Sequence, residues 1–152
     1  MVAFAAIYGL VFINYIDVVS SGFTYGYHVW LVLMYFLPFV GFSMFNLKNW
    51  GLTVGLGLFA SLMNDVFYGL TKYIFGVSYD IHRYYSLWLI PQGEKLFTLN
   101  LGFTEIPVYS WMMALSIYMR IAVVAALLWY WKRIQTTKSP LQPTAAVFSV
   151  SK

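Results

Sequence analysis

Two ionisable residues, Asp65 and Arg120, lie deep inside long apolar runs of the sequence. Asp65 is about 22 Å along a helix from the start of the run 50–75, and Arg120 is about 17 Å from the end of the run 108–131. A charged residue at mid-helix raises the free energy of membrane insertion by about 2.5–3.5 kcal/mol, so such residues are usually paired, hydrated or used in transport. Because a guanidinium has a long reach, we predict a structural ion pair between Asp65 and Arg120 that fixes helix register. A proton or ion pathway is the alternative.

A second candidate set contains carboxylate and imidazole side chains: Asp17, His28, Asp65, Asp80 and His82. Carboxylate and imidazole together suit copper, zinc and proton transfer. Metal ligands usually recur at short spacing, as in His-Glu-x-x-His, and Asp80-x-His82 is the nearest approach to such a pattern. Asp80 can equally cap a helix, and His82 can face lipid headgroups. We therefore predict no cofactor, and a copper, zinc or proton site at these five residues is the alternative.

The composition is that of an integral membrane protein. Hydrophobic residues make up 61% of the 152 residues, charged residues only 9%, and the mean hydropathy is +0.72, whereas soluble domains contain about 25% charged residues. The absence of Cys excludes disulfides and thiolate ligands, and the net charge of +4 is spread too thinly for a nucleic-acid surface. Gly-x-Ser-x-Gly, His-Glu-x-x-His and phosphate-binding glycine motifs are absent, so we do not expect the chain to be catalytic by itself.

The elements that must position these residues are predicted by four apolar runs. Each approaches the length of about 20 residues that crosses a bilayer; the runs are 2–19, 29–45, 50–75 and 108–131. We predict an all-α integral membrane protein in which residues 1–131 form one domain, a four-transmembrane-helix bundle. Lys48, between the second and third runs, and the bases after the fourth run place both termini in the cytoplasm of a multi-pass cell-membrane protein. The basic tail 132–152 contains prolines and is predicted to be extended.

The segment 76–107 joins the third and fourth runs and is long for a loop. Tyr84 and Trp88 recur at helical spacing within it, which predicts a short interfacial helix. Residues 98–103 alternate apolar and polar side chains in a weakly strand-like manner. Because long loops usually have a binding role, we expect this segment to cap the bundle or to contact a neighbouring protein.

Residues 63–69, Met-Asn-Asp-Val-Phe-Tyr-Gly, together with residues 79–91, Tyr-Asp-Ile-His-Arg-Tyr-Tyr-Ser-Leu-Trp-Leu-Ile-Pro, resemble small uncharacterised four-span membrane proteins of archaea and bacteria. In those proteins an acidic-aromatic patch late in one helix precedes an aromatic, His-containing interfacial segment. The aromatic-rich spans are also similar in style to accessory subunits of archaeal membrane complexes of the ammonia monooxygenase type, although no catalytic copper-ligand pattern of that family falls on residues of this chain. The resemblance implies a subunit role, but it does not imply copper binding by this chain.

These features predict a noncatalytic accessory or structural subunit of a multi-subunit membrane complex. The resemblance implies that this complex is an archaeal membrane-bound monooxygenase. The expected partners are other integral membrane subunits and the lipid bilayer, and not nucleic acid. The alternative function is that of a small membrane transporter or metal-handling protein in which Asp65 acts with Asp17 or His82.

Overall fold

The computed structural model describes residues 1–20, 27–75, 80–100 and 104–137, which are mostly helical. The elements follow in the order α1 (Val2–Ile7), a π-helical segment (Tyr8–Ile13), α2 (Asn14–Ser20), α3 (Tyr27–Phe45), a 3-10 helix (Leu47–Asn49), α4 (Trp50–Ile74), α5 (Ile81–Leu89), β1 (Lys95–Asn100), β2 (Glu105–Tyr109) and α6 (Ser110–Thr137). The π-helical segment joins α1 to α2 without a break, and we call these three elements the N-terminal helix.

Three helical stretches are long and apolar enough to cross a membrane: Val2–Val19, Leu47–Ile74 and Ser110–Thr136. They coincide with the first, third and fourth predicted runs, so the prediction of long apolar helices is confirmed at these places. The second run, Val29–Phe45, is also an apolar helix, but it is shorter than the other three.

The predicted all-α fold is wrong in one respect, because β1 and β2 form a two-stranded antiparallel hairpin. The pairing runs from Lys95 opposite Tyr109 to Asn100 opposite Glu105, and the register is irregular between Lys95 and Phe97. The sequence shows strand-like alternation only from residue 98, although β1 begins three residues earlier. Alternation over so few residues is a weak signal, and aromatic residues at helical spacing dominate this segment.

Helix α6 continues beyond residue 131, where the bundle was predicted to end. It reaches Thr137, so that Lys132 and Arg133 belong to its last turns. The Thr136 hydroxyl donates to the carbonyls of both residues, at 3.3 and 2.9 Å. Residues 138–152 of the predicted tail lie outside the described residues.

Helix α5 is the predicted short helix of the segment 76–107, and it packs on the bundle of its own chain. Asp80 caps it by accepting a hydrogen bond from the Arg83 backbone N–H at 3.0 Å. Tyr84 is buried, and its hydroxyl donates to the Asp65 backbone carbonyl at 2.7 Å. At the other end, the Ser110 hydroxyl of α6 donates to the carbonyl of Leu87, in the last turn of α5, and to that of Ile90, which follows the helix, at 2.5 and 3.0 Å. These bonds satisfy backbone groups that a helix end leaves open.

Helix α4 is the central element and contacts each of the other helices. One buried apolar cluster joins α4 to the N-terminal helix and α3 and contains Phe39 and Leu56. A second cluster, which contains Ile13 and Leu31, lies between the N-terminal helix and α3. The N-terminal helix approaches α4 closely at Gly9, where an added Cβ would collide with the backbone of Ala60. Small residues allow this backbone contact, which strengthens helix association where water is absent.

Pro38 lies inside α3 and has no backbone N–H, so the Met34 carbonyl lacks its intrahelical donor. The Tyr8 hydroxyl of the N-terminal helix donates to that carbonyl at 3.0 Å. A backbone group without a partner is costly in hydrocarbon, so a neighbouring side chain takes over the role of the missing N–H. The contact also ties the π-helical segment to α3.

Candidate functional site: a buried polar network

The polar residues inside the bundle are organised around two neighbours on α4, Asn64 and Asp65. Consecutive residues of an α-helix point about 100° apart, so the two side chains face different helices. Asn64 is fully buried and faces the N-terminal helix and α3, whereas Asp65 faces α6. One turn of α4 therefore holds polar contacts with three other helices.

Asp65 and Arg120 form an ion pair in which Arg120 Nη2 lies 2.5 Å from Asp65 Oδ2. Arg120 Nη1 also donates to Ser61 Oγ at 2.7 Å, and Nε donates to the Ser116 carbonyl at 3.2 Å. Ser61 precedes Asp65 by four residues, so both lie on the same face of α4. The two charged side chains are only 15% and 19% exposed. The guanidinium thus bridges a full turn of α4 and fixes α6 against it.

Asn64 is the centre of the second half of the network. Its Nδ2 donates to Asp17 Oδ2 on α2 at 2.8 Å and to the Tyr35 hydroxyl on α3 at 2.9 Å. Asn14 Nδ2 donates to the Asn64 backbone carbonyl at 2.9 Å. The Tyr35 hydroxyl also lies within electrostatic range of Asp17 and Asp65. The two halves meet at the adjacent residues Asn64 and Asp65 of α4, and together they contact the N-terminal helix, α3 and α6.

Two buried oxygens in this network, Asn14 Oδ1 and Asn64 Oδ1, have no hydrogen-bond donor among the described residues. Both residues have 0% exposure. The bonds made by each amide nitrogen fix which end of the side chain is the oxygen. Leaving a buried acceptor without a donor costs about 1–3 kcal/mol, so these two atoms are where the network is incomplete.

The π-helical segment comes directly before Asn14 and determines which way it points. The Asn14 N–H donates to the Gly9 carbonyl, five residues earlier, and to the Val11 carbonyl. A π-turn contains more residues than an α-turn, so it changes the direction of every later side chain of the N-terminal helix, including Asp17. Such insertions are frequent at functional sites, and here one orients two members of the network.

Of the five residues predicted as a metal or proton site, the four whose side chains are described do not come together as one group. Asp17 and Asp65 belong to the network, whereas Asp80 and His82 lie on or beside α5 with exposed side chains. His28 lies in α3, and its side chain is outside the described part of the chain. In residues 1–20, 27–75, 80–100 and 104–137, no three His, Cys, Asp or Glu side chains are placed to share a metal ion. The prediction of no cofactor, with copper or zinc as the alternative, stays a prediction.

A second ion pair lies on the surface, where Arg83 Nη2 is 2.8 Å from Glu94 Oε1. It joins α5 to the turn that precedes β1. The hydrogen bond and the charge of Glu94 raise the pKa of the Arg83 guanidinium. The Arg83 and Glu94 side chains are 66% and 46% exposed, whereas those of the pair inside the bundle are mostly buried. Exposed pairs contribute little to stability, so this one serves as a reference for the pair inside the bundle.

Three members of the network were not predicted from the sequence: Tyr35, Ser61 and Tyr84. Ser61 had a usable signal, because a residue four positions before Asp65 must share its helix face. Tyr35 gave none, because Tyr and Trp favour the ends of membrane helices and a Tyr within an apolar run does not by itself indicate a polar contact. Tyr84 was predicted on the apolar face of α5, but its hydroxyl bond to α4 depends on how α5 docks.

No family model matches the sequence, and comparisons with curated proteins and with solved structures give no significant match.

Proposed function

We propose that this chain is a noncatalytic structural subunit of a multi-subunit membrane complex. The observation that carries the proposal is the bonding of Arg120. Its guanidinium is paired with Asp65 and bonded to Ser61, both on α4, and to the backbone of its own helix. A charge held in this way positions one helix against another, which is an architectural use of an otherwise costly group.

The partner-binding surface of the proposed subunit is the outer face of α6. This helix is the least buried of the three long apolar stretches. Its exposed side chains include aromatic residues near both ends, Trp111 and Trp129, and apolar residues between them, Leu115, Met119 and Ile121. Aromatic rings and Met are enriched at the centres of protein interfaces, so this face suits another transmembrane helix as well as it suits lipid.

In the proposed topology all four helical runs cross the membrane and both termini are cytoplasmic. Helix α3 has 19 residues, which extend about 28 Å and nearly match a hydrocarbon core of about 30 Å. Helix α5 and the hairpin then lie on the outer side, while Lys48 and the bases at the end of α6 lie on the inner side. The sequence resemblance favours a complex of the archaeal membrane-bound monooxygenase type.

Photocrosslinking in native membranes tests the subunit proposal. The photoreactive residue p-benzoylphenylalanine replaces Trp111 or Trp129 on α6 and, as a control of similar exposure, Phe4 on α1. We expect the α6 positions to give one protein adduct of constant mass at a fixed ratio to this chain. The proposal fails if a mild-detergent particle has the mass of this chain alone and the α6 positions react only with lipid.

The second candidate function is proton or cation transport. It is favoured by the polar contacts that meet at the adjacent residues Asn64 and Asp65 of α4. Asp17, Asn64 and Tyr35 connect the N-terminal helix to the turn that carries Asp65. His82, the other residue predicted to act with Asp65, is exposed on α5. The variant Asp65→Asn in proteoliposomes separates the two functions. Loss of ion flux with unchanged assembly supports transport, whereas unchanged flux with weaker assembly or lower stability supports a structural role.

A further inference from the structure

Three basic residues lie at the end of the bundle where α4 begins and α6 ends. They are Lys48 in the 3-10 helix, and Lys132 and Arg133 in α6, and all three are exposed. Their neighbours in the sequence hold the two elements together, because Trp131 Nε1 donates to Asn49 Oδ1 at 3.3 Å. Bases that are far apart in the sequence thus lie at one end of the fold, and we call these three residues the basic surface.

The carboxylate side chains of the described residues all lie away from the basic surface. Asp65 is about 22 Å along α4 from the first residue of that helix, and Asp17 is bonded to Asn64 at nearly the same level. The other carboxylates lie around α5 and the hairpin, and they are Asp80, Glu94 and Glu105. The basic surface therefore has positive charge that acidic side chains of this chain do not offset.

Exposed aromatic side chains lie at the same end of the bundle as the basic surface. Trp50 begins α4, and Trp129 and Tyr130 precede the bases of α6. Tyr and Trp favour the headgroup level of a bilayer, where the ring is buried and its polar atom stays in water. The guanidinium carbon of Arg133 is 5.4 Å from the centroid of the Trp129 ring, which holds this base beside one of the rings. Bases at this level meet lipid phosphates and not hydrocarbon.

We propose that the basic surface binds the headgroups of anionic phospholipids in preference to zwitterionic ones. Ammonium and guanidinium groups donate charge-assisted hydrogen bonds to phosphate oxygens, and a headgroup with a net negative charge attracts each base. A free phosphate ion has similar chemistry, but the neighbouring aromatic rings favour a ligand that is anchored in the bilayer. The inference rests on the proposed membrane location of the chain, and it is independent of the subunit role.

The test is the quenching of tryptophan fluorescence by brominated phospholipids in vesicles that contain the purified full-length chain. Bromine atoms on the acyl chains quench the tryptophans that a lipid contacts, and three of the six tryptophans, Trp50, Trp129 and Trp131, lie at this end. A comparison of brominated phosphatidylglycerol with brominated phosphatidylcholine gives their relative affinity.

Each base near an anionic membrane surface changes the affinity by about fivefold, and half of the tryptophans report on this end, so we expect phosphatidylglycerol to be favoured about three- to fivefold. High salt should reduce this preference by screening. Equal quenching by the two lipids would overturn the proposal and leave the membrane location intact. Quenching by neither lipid would contradict the membrane location as well.

Matched variants show whether the lipid preference comes from this surface. The double variant Lys48→Gln with Lys132→Gln should lose most of the preference for phosphatidylglycerol. The control Arg83→Gln with Lys95→Gln removes two bases from the opposite end of the bundle and should keep it. All four side chains are exposed, so both variants should fold, which circular dichroism checks. A full preference in the first variant, or an equal loss in the control, would overturn the proposal.

A final comparison separates the lipid headgroup from free phosphate. Replacing chloride by inorganic phosphate at equal ionic strength should leave the preference for phosphatidylglycerol unchanged, because screening is then the same. Loss of the preference in phosphate alone would mean that the surface binds the free ion, and the proposal would be wrong.

Discussion

Replacing Arg120 by Met should destabilise the bundle more than any other loss of a single charge among its described residues. The change keeps most of the side-chain volume but leaves Asp65 without its guanidinium and Ser61 without the donor at 2.7 Å. Removing one partner of a buried ion pair typically costs about 3–5 kcal/mol. Because the two side chains are 15% and 19% exposed, we expect the lower end of that range, about 3 kcal/mol.

A double-mutant cycle shows how much of this cost belongs to the pair. Asp65→Asn alone retains an oxygen that can accept from Arg120, so it should cost less, about 1.5 kcal/mol. In the double variant no charge is left unpaired, and the two costs should not add. We expect a coupling free energy of at least about 1.5 kcal/mol, which lies within the range for residues in direct contact.

The assay is unfolding in mixed micelles with increasing denaturing detergent, followed by tryptophan fluorescence and circular dichroism. The matched control is Arg83→Met, which breaks the exposed pair with Glu94 at 66% and 46% exposure and should cost less than about 1 kcal/mol. If Arg120→Met costs no more than Arg83→Met, or if the two changes of the cycle simply add, the pair does not hold α6 in register and our reasoning is wrong.

Three further substitutions test single contacts of the fold. Tyr8→Phe leaves the Met34 carbonyl without its donor at 3.0 Å and should lower the unfolding free energy by about 1–2 kcal/mol in the same micelle assay; no change would mean that another group satisfies the carbonyl. Asp80→Ala removes the cap of α5 and should cost about 1 kcal/mol, seen as faster hydrogen exchange in α5 but not in α4. Gly9→Ala should collide with the α4 backbone and cost about 3 kcal/mol, whereas Gly41→Ala, whose Cβ would meet nothing within 4 Å, should be nearly neutral.

The depth of the charged residues could be predicted from the sequence because apolar runs have visible ends. A fixed rise per residue converts a position in a run into a depth, and this was enough to expect Asp65 opposite Arg120. A second feature that the sequence determines is the free carbonyl of Met34, since a proline at position 38 has no N–H to donate to it. The donor to this carbonyl, the Tyr8 hydroxyl, could not be predicted, because the contact depends on how two helices pack.

The parts that could not be predicted are those set by short or unusual local geometry. A π-helical insertion changes the direction of later side chains by a fraction of a turn, and the residues Tyr8–Ile13 have no composition that demands it. Tyr35 reaches Asn64 through the packing of α3 on α4, which no local sequence pattern determines. The hairpin was missed for a different reason, because its strands are too short for alternation to outweigh a neighbouring helical pattern.

The position of the polar groups explains how a chain with so many apolar residues adopts a single arrangement of its helices. In a bilayer an apolar helix face gains little by exchanging lipid for another apolar helix, so hydrophobicity alone does not select a register. Hydrogen bonds of fixed length do select one. Asn64 fixes α4 against the N-terminal helix and α3, and Asp65, with Ser61 one turn earlier, fixes it against α6. Since both act from the same part of α4, a shift of any neighbouring helix by one turn would break bonds at a single level of the bundle. Asn14 also donates to the Asn64 carbonyl, so the N-terminal helix is bonded to both the backbone and the side chain of the same residue of α4.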